Sequence, residues 1–126
     1  ISGIGLKRGA FASSISHDSH NIIAVGCTDQ DLMLAINELI KEKGGLTVNE
    51  EGKLHSLPLP IGGIISDKSG REVADRYVKL NEMLLKMGTP LKSPFMTLSF
   101  MALIVIPTLK IGEKGIFDFE KFDFVK

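Results

Sequence analysis

The sequence predicts an α+β domain in which a mixed, mostly antiparallel sheet is covered by two main helices. Short apolar segments, separated by polar or glycine-rich turns, are typical of strands. Two longer segments carry apolar residues at helical spacing. Their order is strand, strand, helix, then strand, strand, helix, which suggests two β-β-α units. The chain has 126 residues, so we expect a single domain over residues 1–126.

The first unit contains two short strands and a helix. Residues 9–16 are small and predict one strand, and residues 22–27 are apolar enough to predict a strand buried on both faces. Thr28 is the expected N-cap of the helix, and glycines 44 and 45 are expected to end it. The expected buried face of this helix comprises Leu32, Ala35, Ile36, Leu39 and Ile40.

The second unit repeats this order. Residues 46–48 and 53–57 predict a hairpin around the turn at 49–52, and residues 61–65 predict a tight connection or a brief strand. Ser69 and Glu72 have the spacing of a capping box, so a second helix is expected to begin there. Its predicted buried stripe consists of Val73, Tyr77, Leu80, Leu84 and Met87.

The carboxy-terminal segment is apolar and aromatic. Residues 94–103 fit a short helix as well as a strand, whereas residues 116–119 and 122–125 alternate as strands do. Four of the seven phenylalanines lie in the last eleven residues. We therefore expect this segment to dock on the sheet or on a neighbouring domain.

Charge and composition exclude several classes of partner. Fifteen basic residues balance fifteen acidic ones, and no basic run is interleaved with aromatics, so neither nucleic acid nor an anionic membrane is expected as a partner. The longest apolar run, 98–107, is too short to span a bilayer. Cys27 is the single cysteine, which excludes an internal disulfide and fits the cytoplasm; we expect its side chain to be buried.

The expected connection between the first two strands, residues 16–21, is the strongest candidate for chemistry and is called the polar turn below. It brings together hydroxyl, imidazole, carboxylate and amide groups, which belong to Ser16, His17, Asp18, Ser19, His20 and Asn21. Two imidazoles beside a carboxylate can transfer protons or bind a metal ion. The same residues can also form an ordinary turn whose side chains satisfy the backbone. The residues alone leave these three interpretations open.

Other motifs of known chemistry are missing from the sequence. It contains no phosphate loop, no dinucleotide-binding glycine motif, no Gly-x-Ser-x-Gly elbow and no zinc-deaminase signature. The remaining histidine, His55, is expected to be a surface residue of a strand. Physical reasoning alone therefore stops at a globular α+β domain with one polar turn.

Four stretches carry a resemblance to a known family. They are Gly-Leu-Lys-Arg-Gly-Ala at 5–10, Ser-Ser-Ile-Ser-His-Asp-Ser-His-Asn-Ile at 13–22, Leu-Pro-Leu-Pro-Ile-Gly-Gly-Ile at 57–64, and Pro-Phe-Met-Thr-Leu-Ser-Phe at 94–100. In this order they resemble the carboxy-terminal domain of the adenine deaminases of the amidohydrolase superfamily. Ile104 departs from the proline that similar sequences show there.

The resemblance implies a role in converting adenine and water to hypoxanthine and ammonia. It implies that a divalent metal ion, manganese or iron, activates water in a separate amino-terminal barrel, and that this chain contains no metal ligand or cofactor of its own. The chain opens on Ile-Ser-Gly without a methionine, so we expect it to belong to a longer polypeptide and to be inactive alone. A homo-oligomer and a cytoplasmic role in purine salvage are also expected.

Within that enzyme, the polar turn is expected to support chemistry in the barrel. His17, Asp18 and His20 are the candidate catalytic helpers, and Ser16, Ser19 and Asn21 are the candidate substrate contacts. Two alternatives stay open. The domain could be purely structural and hold domains or subunits together, or it could be a free-standing module that binds a small molecule.

Overall fold

The computed structural model describes residues 2–17, 21–112 and 114–125. These residues form three helices and two sheets. In chain order the elements are β1 (Ala10–Ser13), β2 (Ile23–Gly26), α1 (Asp29–Lys41), β3 (Gly45–Glu50), β4 (Lys53–Pro58), α2 (Gly70–Lys86), α3 (Pro94–Met101), β5 (Leu109–Gly112), β6 (Gly115–Asp118) and β7 (Asp123–Phe124).

The main sheet has the strand order β2-β1-β3-β4, and each pair of neighbours is antiparallel. The predicted sequence of two β-β-α units is confirmed, and so is the α+β fold class with its mostly antiparallel sheet. β3 and β4 meet at a two-residue turn, Glu51 and Gly52, in which both residues have positive φ (51° and 87°). That conformation matches the twist of the two strands.

The two faces of the main sheet are covered by different helices. Ala10 and Ala12 point to one face, where α1 packs through Ala35 and Leu39. Phe11 points to the other face, into a cluster shared with α2 and α3. Small residues on one side of β1 and a large one on the other therefore place the sheet between two layers of helix.

α3 is a third covering helix, beyond the two predicted. The ring of Phe95 meets the ring of Phe11 edge to face, with centroids 5.3 Å apart, and Leu98 is fully buried. Pro94 occupies the first turn, where its missing N–H costs no helical hydrogen bond. The segment that fitted either a helix or a strand is therefore helical, because its apolar side chains pack on the sheet.

The predicted starts of the two long helices are confirmed. Thr28 Oγ1 accepts a hydrogen bond from the Asp31 N–H at 3.1 Å. At α2 the full capping box is present, because Ser69 Oγ accepts from the Glu72 N–H and Glu72 Oε2 accepts from the Ser69 N–H. Such caps satisfy N–H groups that have no partner inside the helix.

Three expectations about burial are wrong. β2 was expected to be buried on both faces, but it is an edge strand and its residues are only half-buried. Cys27 directly follows this edge strand and is exposed. Ile40, expected on the buried face of α1, is 59% exposed near the end of that helix.

The aromatic carboxy-terminal segment forms a small sheet of its own, with the order β5-β6-β7. Phe117 is buried there between Phe122 and Phe124, whose rings meet it edge to face with centroids 5.5 and 5.4 Å away. These aromatic side chains therefore pack on one another within the small sheet. That the segment docks on another domain stays a prediction. In the described ranges no helix is both long and apolar enough to cross a membrane.

Candidate functional site

The two ends of the polar turn are joined by a hydrogen bond. The Ser16 hydroxyl donates to the Asn21 carbonyl oxygen at 2.7 Å, and the Ser16 side chain is buried. β1 and β2 fix the base of the same connection, because Ser13 and Ile23 are paired residues of the ladder. The sheet therefore holds both ends of the polar turn in place.

A second anchor lies just before the turn. Ser14 Oγ accepts a hydrogen bond from the Gly45 N–H at 2.8 Å and donates to the Gly63 carbonyl oxygen. The Ser14 side chain is almost fully buried. The end of β1 is thus tied to β3 and to the tight connection at 61–65, which contains an isolated bridge between Ile61 and Ile65.

α3 supports the polar turn from a third direction. The His17 backbone N–H donates to the Ser99 carbonyl oxygen at 3.1 Å. The His17 ring stacks on the ring of Phe100, with centroids 5.4 Å apart and an interplanar angle of 26°. Neither Ser99 nor Phe100 is among the predicted site residues, although both lie in the segment 94–103 that the sequence predicts as a short helix or a strand.

An open cavity of about 590 Å³ lies beside the turn. It has the size of a small-molecule site, and its wall is mostly apolar with a few polar groups. The polar groups come from His17, Asn21 and Lys114, and the apolar wall includes Ile23, Leu103 and Phe124. The start of β2, the segment after α3 and the small sheet therefore surround one space.

The predicted site residues have different environments. His17 and Asn21 are exposed and face the cavity, whereas Ser16 is buried and its hydroxyl is already bonded to the backbone. Asp18, Ser19 and His20 lie outside the described residues. His55 lies on β4, at the edge of the sheet opposite β2, and is exposed as expected.

The described part of the chain offers no complete set of ligands for a metal ion. Within residues 2–17, 21–112 and 114–125, no three side chains of histidine, cysteine, aspartate or glutamate come close enough together to hold one. Structural and catalytic metal sites in proteins use three or more such ligands. The groups that this part of the site does offer are imidazole, amide and ammonium groups beside an apolar wall.

The fold and the site define a small α+β domain in which the described ends of the polar turn, His17 and Asn21, line a cavity. The chain belongs to the adenine deaminase C-terminal domain family, whose sequence model matches residues 1–123. The resemblance seen in the four sequence stretches is thereby confirmed.

Similar proteins extend well beyond this domain. The chain is 58% identical to an adenine deaminase of Methanosarcina barkeri over 100% of its own length and 23% of that protein. It is 53% identical to an adenine deaminase of a Sulfurovum species and 52% identical to one of Bacillus velezensis; each match covers 99% of the chain, and respectively 24% and 22% of the relative. The chain thus spans less than a quarter of the length of these relatives.

Proposed function

We propose that this domain is the carboxy-terminal part of an enzyme that hydrolyses adenine to hypoxanthine and ammonia, and that it contributes the polar turn to the active site. The family match and the names of the relatives support the reaction. The observation that carries the role of the turn is the exposure of His17 and Asn21 at a cavity while hydrogen bonds fix the chain around them.

The chemistry of these side chains suits a purine. Adenine presents ring nitrogens that accept hydrogen bonds and an amino group that donates them, and an imidazole or an amide can do either. In this proposal, His17, Asp18 and His20 assist proton transfer or orient the substrate, and Ser19 and Asn21 contact it. Ser16 acts through the backbone bond that closes the turn, in addition to any contact with substrate.

The metal ion of this proposal belongs to the amino-terminal barrel, not to this chain. The chemistry that a divalent ion there, manganese or iron, would supply is the activation of a water molecule. In this proposal the side chains of this domain bind and orient the substrate and move protons. The barrel is the partner domain in the same polypeptide, and the isolated chain is inactive. The full-length enzyme is a homo-oligomer of the cytoplasm and serves purine salvage.

The test replaces both histidines of the turn in the full-length enzyme. His17→Ala with His20→Ala is expected to lower kcat by 100-fold or more, because positioned proton-transfer groups typically contribute about 10²–10⁴-fold. His55→Ala is the matched control, since His55 is exposed at the opposite edge of the sheet. Unchanged turnover together with unchanged adenine affinity in the double variant contradicts the proposal.

A second candidate function is favoured by the apolar surface of the carboxy-terminal segment. Ile111 is 84% exposed, Phe122 68% and Leu109 57%, and grouped apolar exposure often marks an interface. In this alternative the domain only holds domains or subunits together. Deleting residues 116–126 then breaks assembly, whereas the histidine variants keep normal kinetics.

A further inference from the structure

The contact between the end of α3 and His17 assigns a role to a residue outside the polar turn. We propose that Phe100 is a positioning residue, whose ring holds the His17 imidazole in the orientation that the deamination uses. This inference rests on the proposed function, because it gives His17 a task at the active site. It adds α3, which is distant from the turn in sequence, to the parts of the domain that serve the reaction.

A hydrogen bond to the end of α3 holds the backbone of His17. Ser99 lies in the last turn of α3, where carbonyl groups have no partner in the following turn of helix. The Ser99 carbonyl oxygen accepts the His17 N–H at 3.1 Å, besides a longer contact of 3.4 Å from the Ala102 N–H. The backbone of His17 is therefore tied to α3.

The ring of Phe100 contacts the His17 side chain directly, by stacking on the imidazole. The centroid distance of 5.4 Å and the angle of 26° are those of an offset stack. α3 itself cannot shift easily, because Phe95 and Leu98 are buried in the main core. Phe100 is 43% exposed, so its ring contributes little to that core and one of its faces is available to the imidazole.

The test uses two substitutions of Phe100 in the full-length enzyme, with adenine as substrate. Phe100→Leu keeps an apolar side chain but removes the ring, and Phe100→Tyr keeps the ring. For Phe100→Leu we expect kcat to fall by about 2- to 12-fold with little change in KM, which corresponds to the strength of an aromatic pair. Phe100→Tyr is expected to retain nearly the original kcat.

A double-mutant cycle with His17→Ala separates positioning from a general structural effect. If Phe100 acts through His17, Phe100→Leu causes no further loss of kcat in the His17→Ala enzyme. An equal loss in both backgrounds, or no loss in either, overturns the role of Phe100 while leaving that of His17 intact. A His17→Ala enzyme with normal kcat and normal adenine affinity overturns both, because the turn residue then has no role to be positioned for.

Discussion

Replacing Ser14 by alanine removes the hydroxyl that ties the end of β1 to β3 and to the connection at 61–65. The Gly45 N–H, which donates to this hydroxyl at 2.8 Å, lies in a fully buried part of the chain. The Gly63 carbonyl also loses its donor, but Gly63 is half-buried and can reach water. Since alanine keeps the β-carbon, the main loss is the one orphaned N–H, which costs about 1–3 kcal/mol.

The assay is urea unfolding of the 126-residue chain, followed by circular dichroism. Ser66→Ala is the matched control, because the Ser66 hydroxyl accepts an exposed hydrogen bond from the Lys68 N–H. We expect the control to change the free energy of unfolding by less than about 0.5 kcal/mol. If Ser14→Ala lowers it by no more than the control does, the anchoring role of this hydroxyl is refuted.

Three further predictions follow from backbone geometry, helix capping and exposure. Gly9→Ala is expected to destabilise the chain more than Gly52→Ala in the same unfolding assay. Both glycines have positive φ (69° and 87°), a conformation that costs a residue with a side chain about 1–2 kcal/mol. Of the two, only Gly9 would bring its new β-carbon against a backbone atom, the Asn49 carbonyl oxygen. An equal fall in the free energy of unfolding for the two variants would contradict this prediction. Hydrogen bonds from the Ser69 side chain and backbone lower the pKa of Glu72; the stabilisation is therefore present above the ordinary glutamate pKa of about 4.3 and is lost as the pH falls below it. NMR titration of the Glu72 carboxyl should show the low pKa, and Ser69→Ala should return it toward the ordinary value; a pKa that does not respond to Ser69→Ala rules out this cause. Cys27 is exposed, so it should react with a thiol reagent in the native chain as readily as in urea, and protection until unfolding would show that it is covered.

The helices could be predicted from sequence because their signals are local. Thr28 and Ser69 each lie three residues before the acidic residue of their cap, and the apolar spacing that follows fixes one buried face. The edge position of β2 has no such signal, since it depends on which strands pair across the sheet. The wrong expectation for Cys27 comes from the same cause: its apolar neighbours indicated burial, but they form the edge strand of the main sheet.

The candidate site, too, could be predicted from the sequence only in part. The polar turn could be found because its residues are adjacent in the chain and differ from the apolar strands on both sides. Its contacts with Ser99 and Phe100 join segments that are far apart in the sequence, so no local pattern predicts them. The hydrogen bonds that the buried hydroxyls of Ser14 and Ser16 make to the backbone likewise depend on the fold, so the sequence did not predict them.

The most direct test of the central claim is a crystal structure of the full-length enzyme with a bound purine. Its informative quantity is the distance from the purine ring to the nearest nitrogen or oxygen of the side chains at positions 16–21. We predict at least one such atom within hydrogen-bonding reach, about 2.6–3.2 Å, directly or through one water molecule. A polar turn that faces solvent or another subunit, away from the purine, would contradict the claim that this domain serves the reaction.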